Sequence, residues 1–343
     1  MEISVVIPVY NACHTIVDCL KSVVDQETRP LEIIVVDNGS TDGSWELLEE
    51  FSQAAKGVPI VLCRERKRGA SAARNKGISL ARGEMVAFTD TDCVADVGWL
   101  QKINNSFNHD SLGAVAGNIF GYRPLKTVEK FQSLYTLRGL DSERVFNHYT
   151  LIEGGFPTAN LAVRKEVLRA VGGFDENFLI YGEDHDLCAR IYKKGFRIKY
   201  TPLAKVYHRH RNSVKKMLRQ SYGFAKAHPR KMKKLFPRVQ IVHFPGVTLR
   251  GERLPGRVWL NLTSADKKLI LTVILGLLYS PLFLLTLFYL LYLYVSTFKR
   301  GLSMGFNFSF RETWAMVGLL LLKSLTMTGG RLIGSLRHRV ICF

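Results

Sequence analysis

The sequence predicts an α/β protein built on a largely parallel sheet, and three observations carry that expectation. Short β-branched runs alternate with helix-like stretches through the first 120 residues. Such alternation needs crossover connections, which lay successive strands parallel. Polar residues follow the strand-like runs: Tyr10 and Asn11 after the first, Asp37 at the end of the second, Asp90 after the fourth. Parallel sheets bind ligands outside the carboxyl ends of their strands, so these side chains are expected on one rim.

The elements follow in order. "ISVVIPV" is an apolar, β-branched strand bounded by Pro8 and Asn11, and a helical pattern runs from Thr15 to Val24. "LEIIVVD" is the second strand, ending at Asp37. "NGSTDGS" is turn chemistry, in which Thr41 or Asp42 caps a helix from Trp45 to Phe51. "IVLC" is a third strand, Ser71 to Leu80 a helix and "EMVAFTD" a fourth strand. The segment 122–150 reads as polar and helical. "ANLAVRKEVLRAVGGFDENF" reads as strand, helix and glycine-rich turn, and "GEDHDLCARIYKKG" as a helix from Asp184 stopped by Gly195.

Composition narrows the function classes. A chain with 47% hydrophobic and 22% charged residues is not mostly disordered. The charge is divided unevenly. Residues 201–343 hold 24 of the 48 Lys and Arg but three of the 29 acids, Glu252, Asp266 and Glu312, for a net +21. The first 200 residues carry the other 24 bases and 26 acids, a net −2. A basic tail points to nucleic acid or to an anionic membrane surface. Hydropathy decides for the membrane, because Leu269 to Thr297 contains no charged residue and is long enough to cross a bilayer. Lys267, Lys268, Lys299 and Arg300 bracket that run, and Ser280-Pro281 within it permits a kink or a re-entrant hairpin. A second run, 314–336, is interrupted by Lys323 and Arg331 and is either a second span or an interfacial helix. Nucleic acid is not expected as a partner. The six cysteines form no CxxC pair, so reduced thiols are expected rather than a zinc site or disulfides. The opening "MEISVVIPVYN" has no basic n-region, so the first domain is expected to stay in the cytosol. The organisation expected is a catalytic domain at 1–210, a basic membrane-interface region at 211–268 and a membrane region at 269–343.

"FTDTD" carries the chemistry. Alternate residues of an extended chain point the same way, so Asp90 and Asp92 are placed to face one hard cation, Mn²⁺ or Mg²⁺, of the kind shared with phosphates. Two acids beside a turn are also a common solvated loop. The ordered set "VVIPVYN", "EIIVVDNGSTDGS", "RGASAARNKGI", "FTDTD", "GGFDE" and "YGEDHDL" resembles the family 2 glycosyltransferases, which have the GT-A (Rossmann-like) fold, over about the first 210 residues.

The resemblance implies the roles. Pro8, Tyr10 and Asn11 flank the nucleotide base, Tyr10 as a stacking ring, and Asp37 accepts hydrogen bonds from base or ribose. Arg74 pairs with the diphosphate or base. Asp90 and Asp92 hold the metal, Asp92 more firmly and Asp90 nearer the ribose, and His208 completes the shell. Asp184 is the general base of an inverting transfer from a nucleotide-sugar, first a UDP-sugar, and Glu183 positions Asp184 or the acceptor. His185 and Asp186 are structural. The family's processive members carry a Q-x-x-R-W motif where this chain reads "MLRQSYGFAKAH", so one sugar per encounter is expected. Charge and hydropathy make the acceptor a lipid-linked or membrane glycan and the location the cytoplasmic face of the cell membrane, with anionic lipids as partners. A polyprenyl-phosphate acceptor is the alternative; a phosphate is already ionised and needs no base.

Overall fold

The computed structural model describes the chain apart from residues 137–138, 151–152, 179–180, 237–238, 245–246 and 252–256. It forms two compact units, residues 1–123 with 137–209, and residues 124–136 with 210–343.

The first unit runs β1 (Ile3–Val9), α1 (Ile16–Val24), β2 (Glu32–Asp37), α2 (Ser44–Ala54), β3 (Ile60–Arg64), α3 (Ala70–Leu80), β4 (Met85–Phe88), β5 (Cys93–Ala95), α4 (Trp99–Ser106) and β6 (Leu112–Gly121). The chain then enters the second unit for α5 (Thr127–Tyr135) and returns for β7 (Arg144–Phe146), β8 (Leu161–Arg164), α6 (Lys165–Val171), α7 (Glu183–Lys193) and β9 (Arg197–His208). Among the described residues the sheet has nine strands in the order β3-β2-β1-β4-β8-β6-β9-β5, with β7 on β9. β3, β2, β1 and β4 are parallel, and β8 runs against both β4 and β6.

Why the early strands are almost wholly apolar is now plain. Helices cover both faces of the sheet, so alternate residues of one strand enter two different cores. Val5, Ile7, Ile33 and Val35 pack with Ile16, Leu20 and Trp99 on one face. Val6, Ile34 and Val36 pack with Ala73, Phe174 and Leu187 on the other. Proline in a central strand needs an explanation, since it cannot donate to a ladder. The ladder between β1 and β4 ends at Val6 and Phe88, so Pro8 lies beyond it and pairs only with Val36 of β2. Gly77 sets the distance of α3 from the sheet: a Cβ there would stand 2.4 Å from Val6 Cγ1.

The second unit contains α5, α8 (Val214–Leu235), β10 (Val239–Phe244), β11 (Val247–Gly251), β12 (Arg257–Asn261), α9 (Ala265–Leu278), α10 (Phe283–Ser303), α11 (Phe310–His338) and β13 (Ile341–Cys342). The four strands form a separate sheet of order β11-β10-β12-β13. Val128, Phe131 and Leu134 of α5 share an apolar cluster with Met217, Phe308 and Met316.

Three expectations are corrected. The domain 1–210 is not continuous, because the apolar face of α5 is satisfied in the second unit. The polar segment 122–150 is not one helix but the nine-residue α5 followed by β7. The uncharged run 269–297 is not one unbroken helix: α9 ends at Leu278, Tyr279 is extended, and α10 starts at Phe283 after a 3₁₀ turn containing Pro281. Proline lacks the helical donor and disfavours helix in the residue before it. The 211–268 region is α8 followed by strands, and its residues 237–238, 245–246 and 252–256 lie outside the described residues. Among the described residues, two helical segments, Ser280–Ser303 and Phe310–His338, are long and apolar enough to cross a membrane.

Candidate active site

The carboxyl ends of β1 and β2 build the first wall. Asn11, just past β1, has φ of 49°, a left-handed conformation that asparagine tolerates better than most residues. Its side-chain oxygen accepts from Thr41 N at 2.8 Å, and its own N–H donates to Ser40 Oγ at 2.9 Å. The loops after the two strands are thereby locked together. Tyr10 stands 59% exposed beside them, its ring open to solvent. Asp37 is 3% exposed and accepts from the backbone N–H groups of Gly39 and Ser40 at 3.2 and 3.3 Å. This is an Asx turn, so the carboxylate shapes its own loop.

Asn38 is a residue the sequence reading passed over. Its amide donates to the carbonyls of Glu65 and Lys67, and its oxygen accepts from Gly69 N at 2.8 Å. It ties the second strand's turn to the start of α3. The signal was there, an asparagine inside a turn motif, but its partners lie some thirty residues further on.

Arg74 occupies the centre. It lies on α3 and is 4% exposed. One guanidinium nitrogen donates to Asp90 Oδ1 at 2.8 Å and the other to Glu183 Oε1 at 3.0 Å. A buried fork between two carboxylates is charge-assisted on both sides. Burial opposes the charge on Arg74, but Asp90 and Glu183 outweigh it and raise the guanidinium's pKa above its usual value. Glu183 responds the other way. Burial first, then the adjoining Asp184, push its carboxyl up to about 7 against the pull of Arg74. Glu183 and Asp184 open α7 after Gly182, whose φ is 101°, a turn that favours glycine. Asp184 is half-buried, and its Oδ1 accepts from His185 N at 2.7 Å.

The aspartates of "FTDTD" do not converge. The chain does not stay extended, because Cys93 N donates to Asp90 O at 3.0 Å and closes a turn. The Asp90 carboxylate is directed to Arg74, and the candidate ligand cluster found among the described residues contains Asp92 but not Asp90. Asp92 is directed instead to His208, with Oδ1 3.4 Å from Nε2. Register explains their meeting, since β5 pairs with β9 so that Cys93 faces His208. Asp92, Cys93 and His208 bring one ligand atom each within 4.8 Å of one another. Burial, followed by Asp92 and Asp90, raises the Cys93 thiol well above its ordinary value, so it stays a weak donor. The remaining pair, a carboxylate oxygen and an imidazole nitrogen, fits Mn²⁺ and is less natural for Mg²⁺.

A cavity of about 260 Å³ adjoins the start of α7, lined among others by Ile119, Arg144, Glu153, Gly155, His185 and Tyr200. Its wall is fitted around His185. Tyr149 Oη lies 3.1 Å from Nδ1, and a Cβ on Gly155 would come within 2.1 Å of the same nitrogen. Asp186 is fully buried against Arg190 at 2.8 Å. None of the cavity's residues other than His185 drew attention in the sequence.

Fold and site define a class: a mixed α/β sheet of the GT-A type, with acidic side chains gathered at the rim of its parallel strands. Comparison with known proteins agrees. Residues 4–172 match the model of glycosyl transferase family 2, and residues 140–212 match a galactosyltransferase domain. Glycosyltransferase AglE of Haloferax volcanii is 34% identical over 203 residues, which are 58% of this chain and 64% of that protein. The pre-mycofactocin glycosyltransferase of Mycobacterium tuberculosis is 33% identical over 218 residues, 62% of this chain and 44% of that protein. The chain thus spans less than two thirds of either relative. The mannosyltransferase PcManGT of Pyrobaculum calidifontis, solved with GDP-Man and Mn²⁺, shares the fold with a TM-score of 0.55 and 19% identity, over 95% of this chain and 87% of that one. Residues 4–172 are a family 2 glycosyltransferase domain.

Proposed function

We propose that the protein is an inverting glycosyltransferase that moves one sugar from a nucleotide-sugar, a UDP-sugar first, to a hydroxyl of a lipid-linked or membrane glycan at the cytoplasmic face of the membrane. The observation that carries this is the Arg74 fork, which ties the strand-end Asp90 to the Glu183-Asp184 start of α7. Donor-side and acceptor-side carboxylates then belong to one rigid cluster.

Tyr10 and Asn11 flank the base, Tyr10 by stacking, beside the loop that Asp37 holds. Arg74 keeps Asp90 oriented toward the ribose. Asp92 and His208 would hold the divalent ion, which when bound neutralises charge on the diphosphate. Asp184 takes the proton from the acceptor hydroxyl as its oxygen attacks the anomeric carbon. The new C–O bond forms on the face opposite the breaking bond to phosphate, so configuration inverts. Glu183, held by Arg74 at 3.0 Å, positions Asp184 or the acceptor. The cavity at His185 receives the acceptor. The basic second unit binds the anionic membrane.

Membranes containing the protein, given a panel of nucleotide-sugars with Mn²⁺, should release nucleotide and carry label into the organic phase. Asp184→Asn should lower kcat by about 10²–10⁴-fold, the usual worth of a general base, while leaving nucleotide affinity unchanged. Near-normal turnover in Asp184→Asn on a hydroxyl acceptor defeats the assignment. Near-normal turnover on a lipid phosphate alone favours the polyprenyl-phosphate reading.

A further inference from the structure

The uncharged stretch after Lys268 is folded as a helical hairpin. α9 and α10 pack on each other. Tyr289 Oη of α10 donates to Ala265 O at the start of α9, at 3.3 Å. Next to the turn, a Cβ on Gly276 would meet the Phe283 ring at 2.6 Å. Contacts at both ends of α9 make the pair antiparallel. Lys267 and Lys268 therefore lie on the same side as Lys299 and Arg300, at the base. The tip is formed by Leu277, Leu278, Tyr279 and Leu284, each more than half exposed.

The exposed apolar arms have matching lengths. Leu269 to Leu278 and Phe283 to Tyr292 are ten residues each, or about 15 Å at about 1.5 Å per residue. From Leu293 onward α10 buries every fourth residue in protein: Leu293, Thr297 and Gly301. Thr297 Oγ1 lies 2.8 Å from Tyr135 Oη, and Gly301 abuts Phe308. An arm of about 15 Å is half the roughly 30 Å hydrocarbon core.

α11 is long enough to cross, but its neighbour argues against it. α8 lies along it in parallel: Met217 clusters with Met316, Gly330 meets Tyr222 and Ala225, and Gly334 meets Lys226 and Pro229. α8 carries eight Lys and Arg in 22 residues. Charges taken to the bilayer centre are costly and rare unless paired. Asp266, at the hairpin's base, accepts from Ser324 Oγ and Thr328 Oγ1 at 2.6 Å. The middle of α11 is therefore level with the base and not with the tip.

We propose that the second unit is monotopic. The α9–α10 hairpin enters one leaflet of an anionic bilayer and returns, α11 does not cross, and the cations of α8 rest among the headgroups.

The test uses the full chain in cell membranes. Glu49→Cys marks the side of the first unit, and Asn307→Cys marks the exposed connection between α10 and α11. Each is treated with a membrane-impermeant maleimide in intact cells and in sealed inverted vesicles, and peptide mass spectrometry reads each position. The hairpin predicts that positions 49 and 307 are modified in the same preparation. Modification of one in cells and the other in inverted vesicles overturns it, and Ser303→Cys repeats the reading. Leu278→Glu with Leu284→Glu should move the protein from the carbonate-washed membrane pellet to the supernatant with its circular dichroism unchanged. Full retention in the pellet overturns insertion of the tip.

Discussion

Arg74 ends on two carboxylates that belong to different elements, and much of the site follows from that geometry. Removing it strands Asp90 and Glu183 without a counter-charge. Breaking a buried pair by deleting one partner costs about 3–5 kcal/mol. Arg74→Met should fall at the lower end, about 3 kcal/mol, because the Asp90 side chain is partly solvated; urea titration measures it. Glu183 supplies a pH signature. Its carboxyl is raised from 4.5 unfolded to about 7 folded. Between those values the folded protein holds a proton that the unfolded chain has released, so stability is full below about 4.5 and falls as pH rises through about 7. Glu183→Gln should flatten that decline in unfolding free energies measured across the window. Arg74 and Asp90 were each singled out in the sequence, but their bond to each other was not legible, because the positions are sixteen apart on different elements.

Among the elements, the alternating strands and helices up to Asp90 were legible because most of those strands report two buried faces in their composition, whereas β5, α4 and β6 were not assigned. Short turns with Gly, Asn and Asp punctuated them correctly. What escaped is what depends on register. The turn at Asp90 separates two aspartates that alternation would have aligned, and the pairing of β5 with β9 brings Asp92 to His208 across more than a hundred residues. The placement of α5 in the second unit was equally hidden, since its apolar face looks the same whichever core it enters. Close approach of α3 to β1 is set at Gly77, where any Cβ meets Val6. Gly77→Val should destabilise the fold by about 1–3 kcal/mol through overpacking. A lowered midpoint with an unchanged denaturant slope is the expected result.

For the molecule as a whole, the division of charge makes a quantitative statement. Lys215, Lys216 and Arg219 are exposed at the start of α8. Each cation near an anionic surface contributes about 1 kcal/mol. Replacing all three by Gln should weaken partition onto phosphatidylglycerol vesicles about 100-fold at low salt, with the difference shrinking as ionic strength screens the attraction. Flotation of the vesicles reads it, and equal partition of variant and parent counts against headgroup contact. The sequence by itself determined the α/β class, the rim positions, the family and the apolar, basic character of the last third, because these are properties of local pattern and composition. Tertiary structure alone decided that Arg74 joins Asp90 to Glu183, that Asp92 meets His208, and which of the two shapes Ser280-Pro281 permits, kink or hairpin, the long apolar run takes. Each of those rests on residues distant in the chain being brought within bonding or packing distance, and no local pattern encodes that.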